Sequence, residues 1–327
     1  MRNLVLKAAV ISTLGFVSAN AMATGLINIP ATGISVSGGT SAYANCNDTG
    51  NFGSGTSTPP SASAHNDCAV FPANTNTSPV SGFSLVASTT RNIVANNTYT
   101  NNTNVTIATM LDNVWRKATT VGGVTTYQCI YGKRISMSDT SGNTNVDFNP
   151  SLAGRQFMEV NDFALGGFSG TAAADLQVGY FYTSTTDESV FRIGKAFTAV
   201  QMQSNAAGTA PATGYRAQPL TVTAPASGTE INGVGQTLSP PGSPTASQQT
   251  AEIRGNWFDF TSDITRLDED GSSFKDSAML YVQASCTSAA PTAVADTVRL
   301  RQTGQETQPW VTVTTTGYAP AGANANF

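Results

Sequence analysis

The sequence predicts an all-β chain: an antiparallel β-sandwich, of immunoglobulin-like or jelly-roll type, with long low-complexity loops. Three observations carry this expectation. Short stretches of alternating apolar and polar residues recur along the chain, clusters of Gly, Ser, Thr, Asn and Pro separate them, and no segment sustains a helical period for three turns. Seven or more short strands with turn signals between them fit two packed sheets better than any helical arrangement.

In chain order, residues 1–23 read as a secretory signal peptide. Arg2 and Lys7 precede a short apolar run, Ala8 to Ala19, and Ala21-Met22-Ala23 offers small residues at the positions a signal peptidase reads. That run is too short to cross a bilayer, and no later segment has the length and apolarity of a membrane helix, so no transmembrane segment is expected in the mature chain. Residues 24–81 form an amino-terminal arm rich in Gly, Ser, Thr and Asn, and residues 82–320 carry the sandwich. Within it, Phe83, Leu85 and Ala87 alternate with polar neighbours, and Val105, Ile107, Val114 and Trp115 lead to Gly122-Gly123. Beyond that pair, Tyr127, Cys129, Tyr131 and Ile135 resume the alternation, which predicts a hairpin closed by the two glycines. A second hairpin is predicted between Leu176 and Met202, with the polar stretch Thr183 to Ser189, including Asp187 and Glu188, as its solvated turn. A Pro-rich insertion spans about 204–249. Strand-like sequence returns at Ile253 to Phe260, Ala278 to Cys286, Thr297 to Arg301 and Trp310 to Thr316, and residues 321–327 read as a flexible tail. The best short helix candidates are Asn149 to Gln156 and Ser262 to Leu267.

Charge narrows the function classes. Only 11% of the 327 residues are charged, against about 25% in ordinary domains. Sixteen basic residues face twenty acidic ones, which leaves no broad basic face for nucleic acid. Four cysteines in an exported chain imply pairing. Of the three connectivities, spacing favours a local bridge between Cys46 and Cys68 and a long-range one between Cys129 and Cys286; the absence of a C-x-x-C pair argues against zinc.

Chemistry is sparse. A Ser-His-Asp or Cys-His mechanism would have to use the sole imidazole, His65, which sits in a small-residue loop, and no G-x-S-x-G elbow occurs. Seven of the twenty acidic residues fall between Glu252 and Asp276. Within that cluster, oxygens from Asp268, Asp270, Ser272, the Phe274 carbonyl and Asp276, with Gly271 as the bend, make a candidate Ca²⁺ loop, although the full calcium pattern is not met and a solvated acidic turn fits as well. Tyr180, Tyr182 and Trp257 are candidate ligand-binding rings for a sugar, the competing role for such rings being core packing. The expectation is therefore an exported bacterial protein, extracellular or on the outer surface with the periplasm as alternative. Its role would be non-catalytic and structural, adhesive or binding, with surface glycans or other envelope proteins as partners. A carbohydrate-binding module is the first alternative, and a glycoside hydrolase using paired carboxylates the second.

Overall fold

The computed structural model describes residues 25–36, 39–41, 43–46, 58–171, 175–195, 255–267, 274–302, 309 and 311–323. The segments expected as signal peptide and Pro-rich insertion, residues 196–202 of the expected second hairpin, Trp310 and most of the acidic stretch, with Asp268, Asp270 and Ser272, lie outside the described residues.

The chain is an all-β sandwich of two packed sheets. Its strands are β1 (Ile27–Asn28), β2 (Ile34–Val36), β3 (Gly39–Ser41), β4 (Tyr43–Asn45), β5 (Ser84–Ala95), β6 (Val105–Val121), β7 (Val124–Met137), β8 (Val160–Gly166), β9 (Gln177–Phe181), β10 (Asp187–Glu188), β11 (Arg192–Gly194), β12 (Trp257–Ile264), β13 (Asp276–Ser277), β14 (Met279–Cys286), β15 (Thr292–Gln302) and β16 (Val311–Ala319). The first sheet runs β5-β6-β7-β14-β9-β1, with β13 continuing the line of β14 along β7, and β10 beside β13. The second runs β16-β15-β8-β12-β11-β4, antiparallel throughout. β2 and β3 pair only with each other.

Alternation decides what each strand buries. On the first sheet Val114, Tyr131, Leu280 and Val282 face the second sheet's Phe163, Phe258, Phe260 and Leu300, in one core. The opposite face of the first sheet buries Trp115, Ile130, Met279 and Tyr281 beneath Val70, Val80 and Phe83. Close packing here depends on glycine: a Cβ on Gly132 would lie 2.6 Å from the Trp115 ring, and one on Gly166 would lie 2.7 Å from Trp257.

The hairpin at Gly122-Gly123 forms as its sequence predicts, with both glycines at positive φ (57° and 81°), as a type I′ turn requires. The pattern over 176–202 resolves differently. β9 belongs to the first sheet and β11 to the second, so the chain crosses between layers, and Asp187 and Glu188 are buried instead of solvated. Neither short helix candidate is helical: 149–156 is turn and bend, and Ser262 to Ile264 belong to β12. The 3₁₀ segment Thr98–Thr100 is capped by the Asn97 side chain.

The amino-terminal residues complete the sheet edges. β1 pairs with β9, β4 pairs with β11, and Ala69 bridges Tyr180 in parallel. Both disulfides join the pairs that spacing favours, Cys46–Cys68 and Cys129–Cys286. The first links the end of β4 in the second sheet to the segment beside β9 in the first. The second is a diagonal staple between the neighbouring strands β7 and β14, since Cys129 lies opposite Ala284 and Cys286 opposite Tyr127.

Candidate functional site

The residues that sequence reasoning nominated do not converge. Tyr180 is buried in the common core and Trp257 is fully buried, with the Arg299 guanidinium 4.7 Å from its ring, so neither ring is open to a sugar face. Tyr182 is half-buried, its hydroxyl 3.5 Å from that of Ser189; burial pushes its phenol up to about 12, while the Ser189 contact works the other way. Of the candidate calcium ligands, Phe274 and Asp276 are described. The Phe274 carbonyl accepts the Thr265 N–H, and Asp276 accepts from the Lys275 ammonium at 3.0 Å with Arg134 at 3.6 Å. Burial opposes charge on Asp276, but hydrogen bonds from Ser136 and Lys275 and the charges of Arg134 and Lys275 outweigh it and hold its carboxyl below the usual range. The other two described acids of that cluster are engaged elsewhere. Asp259 sits against Arg301 at 3.0 Å, and Asp263 accepts from the Asn161 amide. His65 is half-buried in a turn at positive φ.

Three ionic centres built on buried carboxylates carry no local signal in the sequence. In the first, Asp112 on β6 and Lys133 on β7 stand opposite each other in register, Oδ1 to Nζ 2.8 Å, while Arg91 Nε reaches Oδ2 at 2.9 Å. The Tyr318 N–H donates to the same Asp112 oxygen and the Tyr318 carbonyl accepts from Lys133, so this ion pair ties β16 of one sheet to β6 and β7 of the other. In the second, Arg301 lies between Asp259 at 3.0 Å and Asp162 at 3.8 Å, all three without solvent exposure. In the third, Arg134 reaches from β7 to Asp187, 2.8 Å away, and to Asp276. Each carboxylate in these centres is already matched to a cation, which suits holding strands in register better than protonating a leaving group.

What the fold leaves open is a ribbon. β5 starts at Ser84 opposite Arg116, and β14 ends at Cys286 opposite Tyr127. Beyond those points Lys117–Thr126 continues as two strands and their turn, exposed along its whole length, with Lys117 and Ala118 paired to Gln128 and Tyr127 at its base and Thr119 to Val121 paired only with Val124 to Thr126. Arg116 anchors its base by donating to the carbonyls of Ser288 and Ala289, each at 2.8 Å. Thr119, Thr120, Thr125 and Thr126 line the ribbon, the Thr120 and Thr125 hydroxyls 2.9 Å apart. At its tip Val121 and Val124 are 74% and 66% exposed. Its sequence signal, β-branched residues on both sides of Gly-Gly, was legible; that its neighbours stop short was not. Comparison with known proteins finds no matching family model, no similar curated protein and no similar solved structure.

Proposed function

We propose that the chain is an exported bacterial envelope or extracellular β protein with a non-catalytic structural, adhesive or binding role, and that the ribbon Lys117–Thr126 is the part it presents to partners. The observation that carries this reading is the ribbon itself: a Thr-lined double strand, uncharged beyond Lys117, with an apolar tip, held out from a body in which Asp112 pairs with Lys133 and Asp259 with Arg301. Exposed contiguous apolar residues and open strand edges are costly to keep unless they are used. Two disulfides support an oxidising compartment. The ribbon fits another envelope protein, whose strand would add to its edge, better than a sugar, because the rings nominated for stacking are largely covered.

The test is binding of the mature protein to envelope preparations and to a glycan array, beside a Val121→Asp/Val124→Asp variant. The expected result is envelope binding that the variant loses at unchanged melting temperature. Release of a cleaved product from a retained glycan would contradict the non-catalytic role.

A further inference from the structure

We infer that the β6 edge of the ribbon is a self-pairing site, at which two copies of this chain join antiparallel about a two-fold axis passing at Thr119; the inference rests on the ribbon being the presented surface. The register follows from the turn. In a two-residue hairpin with both glycines at positive φ, the flanking residues Val121 and Val124 exchange backbone hydrogen bonds. Alternation then turns the backbone groups of Val121, Thr119 and Lys117 towards β7, and those of Thr120 and Ala118 outward, where β5 no longer reaches.

Beyond Lys117 that edge carries none of the usual protections. From Ala118 to Thr126 there is no charge and no proline, and the β6–β7 pairing runs from Ala108 to Val121 without a register shift. The neighbouring edge strand β5 is blunted by contrast, with Arg91 in it and a bulge that leaves Val86 unpaired. Two outward residues centred on one inward residue are self-complementary: Ala118 of one copy meets Thr120 of the other twice, and Thr119 meets itself on the axis. Ala118, Thr119 and Thr120, the residues that meet across the axis, carry no charge, and Lys117 meets Val121 of the other copy instead of a second cation, so identical edges can approach.

The apolar residues fall in place under the same symmetry. Val121 and Val124 share a face with Leu85 and Trp115 through the β5–β6–β7 register, and Phe83 lies against Lys117 on that face, 5.9 Å from the Lys117 ammonium. Antiparallel pairing at Thr119 sets Val121 of one copy opposite Lys117 of the other, beside Phe83 and end-on to Leu85, which is 40% exposed. Tip and base of the ribbon therefore cover each other reciprocally. The occupant is a second copy of this chain, because only an identical partner repeats both halves of that match.

The experiment is sedimentation of the full mature protein over a wide concentration range. The account expects a reversible dimer. Thr120→Pro removes an outward N–H without touching the bonds to β7, and is expected to weaken the dimer by at least about tenfold. Thr125→Pro, on the β7 side, is expected to leave it intact. Thr119→Lys places like charges face to face and is expected to yield monomers, as is Thr119→Glu, and an equal mixture of the two is expected to restore a dimer. A wild-type chain monomeric throughout, or a dimer indifferent to Thr120→Pro and to both Thr119 variants, overturns the inference. A monomer that still binds envelope preparations sinks self-pairing alone, whereas a monomer that binds nothing sinks the presented-ribbon reading with it.

Discussion

Asp112 is where a single residue shifts the reading of the sequence. Unbroken alternation from Val105 and Ile107 would send Asp112 to the surface and Trp115 into the sandwich interior. Between Thr106 and Ala108, however, Ile107 has no partner on β5, and this bulge reverses the parity: Met110, Asp112 and Val114 turn inward and Trp115 outward beneath Val70 and Val80. A buried carboxylate at that point needs its cation, and Lys133 supplies one across the strand pair. Asp112→Ala is expected to cost about 3–5 kcal/mol in denaturant unfolding, because it strands Lys133 in the core, while Asp112→Leu combined with Lys133→Met is expected to recover much of the loss. Three phenols add a pH signature. Burial raises Tyr131, Tyr281 and Tyr182, the last to about 12, with Arg116 partly opposing the effect at Tyr131. A phenol whose folded pKa exceeds its unfolded value stabilises the fold fully below about pH 10 and loses that contribution as pH rises through the folded value. Alkaline titration followed by phenolate absorbance is therefore expected to show these three tyrosines ionising only together with loss of the folded signal.

At the scale of strands, the Gly-Gly hairpin was legible because its signals are local: β-branched alternation on both sides and the two residues a type I′ turn demands. The segment from Leu176 to Met202 offered similar local signals, and they misled, since a chain crossing from one sheet to the other is distinguished from a hairpin only by distant partners, β14 for β9 and β12 for β11. β1 and β4, two and three residues long, are shorter than any window in which alternation registers. The tight glycines give the sharpest test of packing between strands. Gly132→Ala would drive a methyl against Trp115 and Met279, both under 3 Å away, and Gly166→Ala would drive one against the Trp257 ring; each is expected to cost about 1–3 kcal/mol, read as a lowered denaturant midpoint. Gly122→Ala, with nothing within 4 Å of its added Cβ, separates turn strain from crowding: it is expected to cost less and to loosen the ribbon alone.

For the whole molecule, the two disulfides divide the work. Cys46–Cys68 fastens one sheet to the other across 22 residues of chain, and Cys129–Cys286 closes a separation of 157 within one sheet. Chain entropy alone assigns about 3 and about 5 kcal/mol to such loops, so removal of the second pair by Cys129→Ser/Cys286→Ser is expected to lower stability more than removal of the first, as measured by denaturant unfolding. Two disulfides point to an oxidising, exported location. The candidate calcium loop bears on this scale too, because Asp276 is engaged by Lys275 and Arg134. With Asp276 held by those partners, the wild-type thermal midpoint is expected to be equal in chelator and in millimolar Ca²⁺ and to be left unmoved by Asp270→Ala, whereas a Ca²⁺-dependent rise that Asp270→Ala abolishes would restore the metal reading. The most direct measurement of the central claim combines cell fractionation with thiol labelling of the denatured chain. The account predicts a protein recovered from periplasm, outer membrane or medium, lacking residues 1–23 and with all four cysteines blocked in the pairs Cys46–Cys68 and Cys129–Cys286; a full-length chain in the cytoplasm with four free thiols would contradict it.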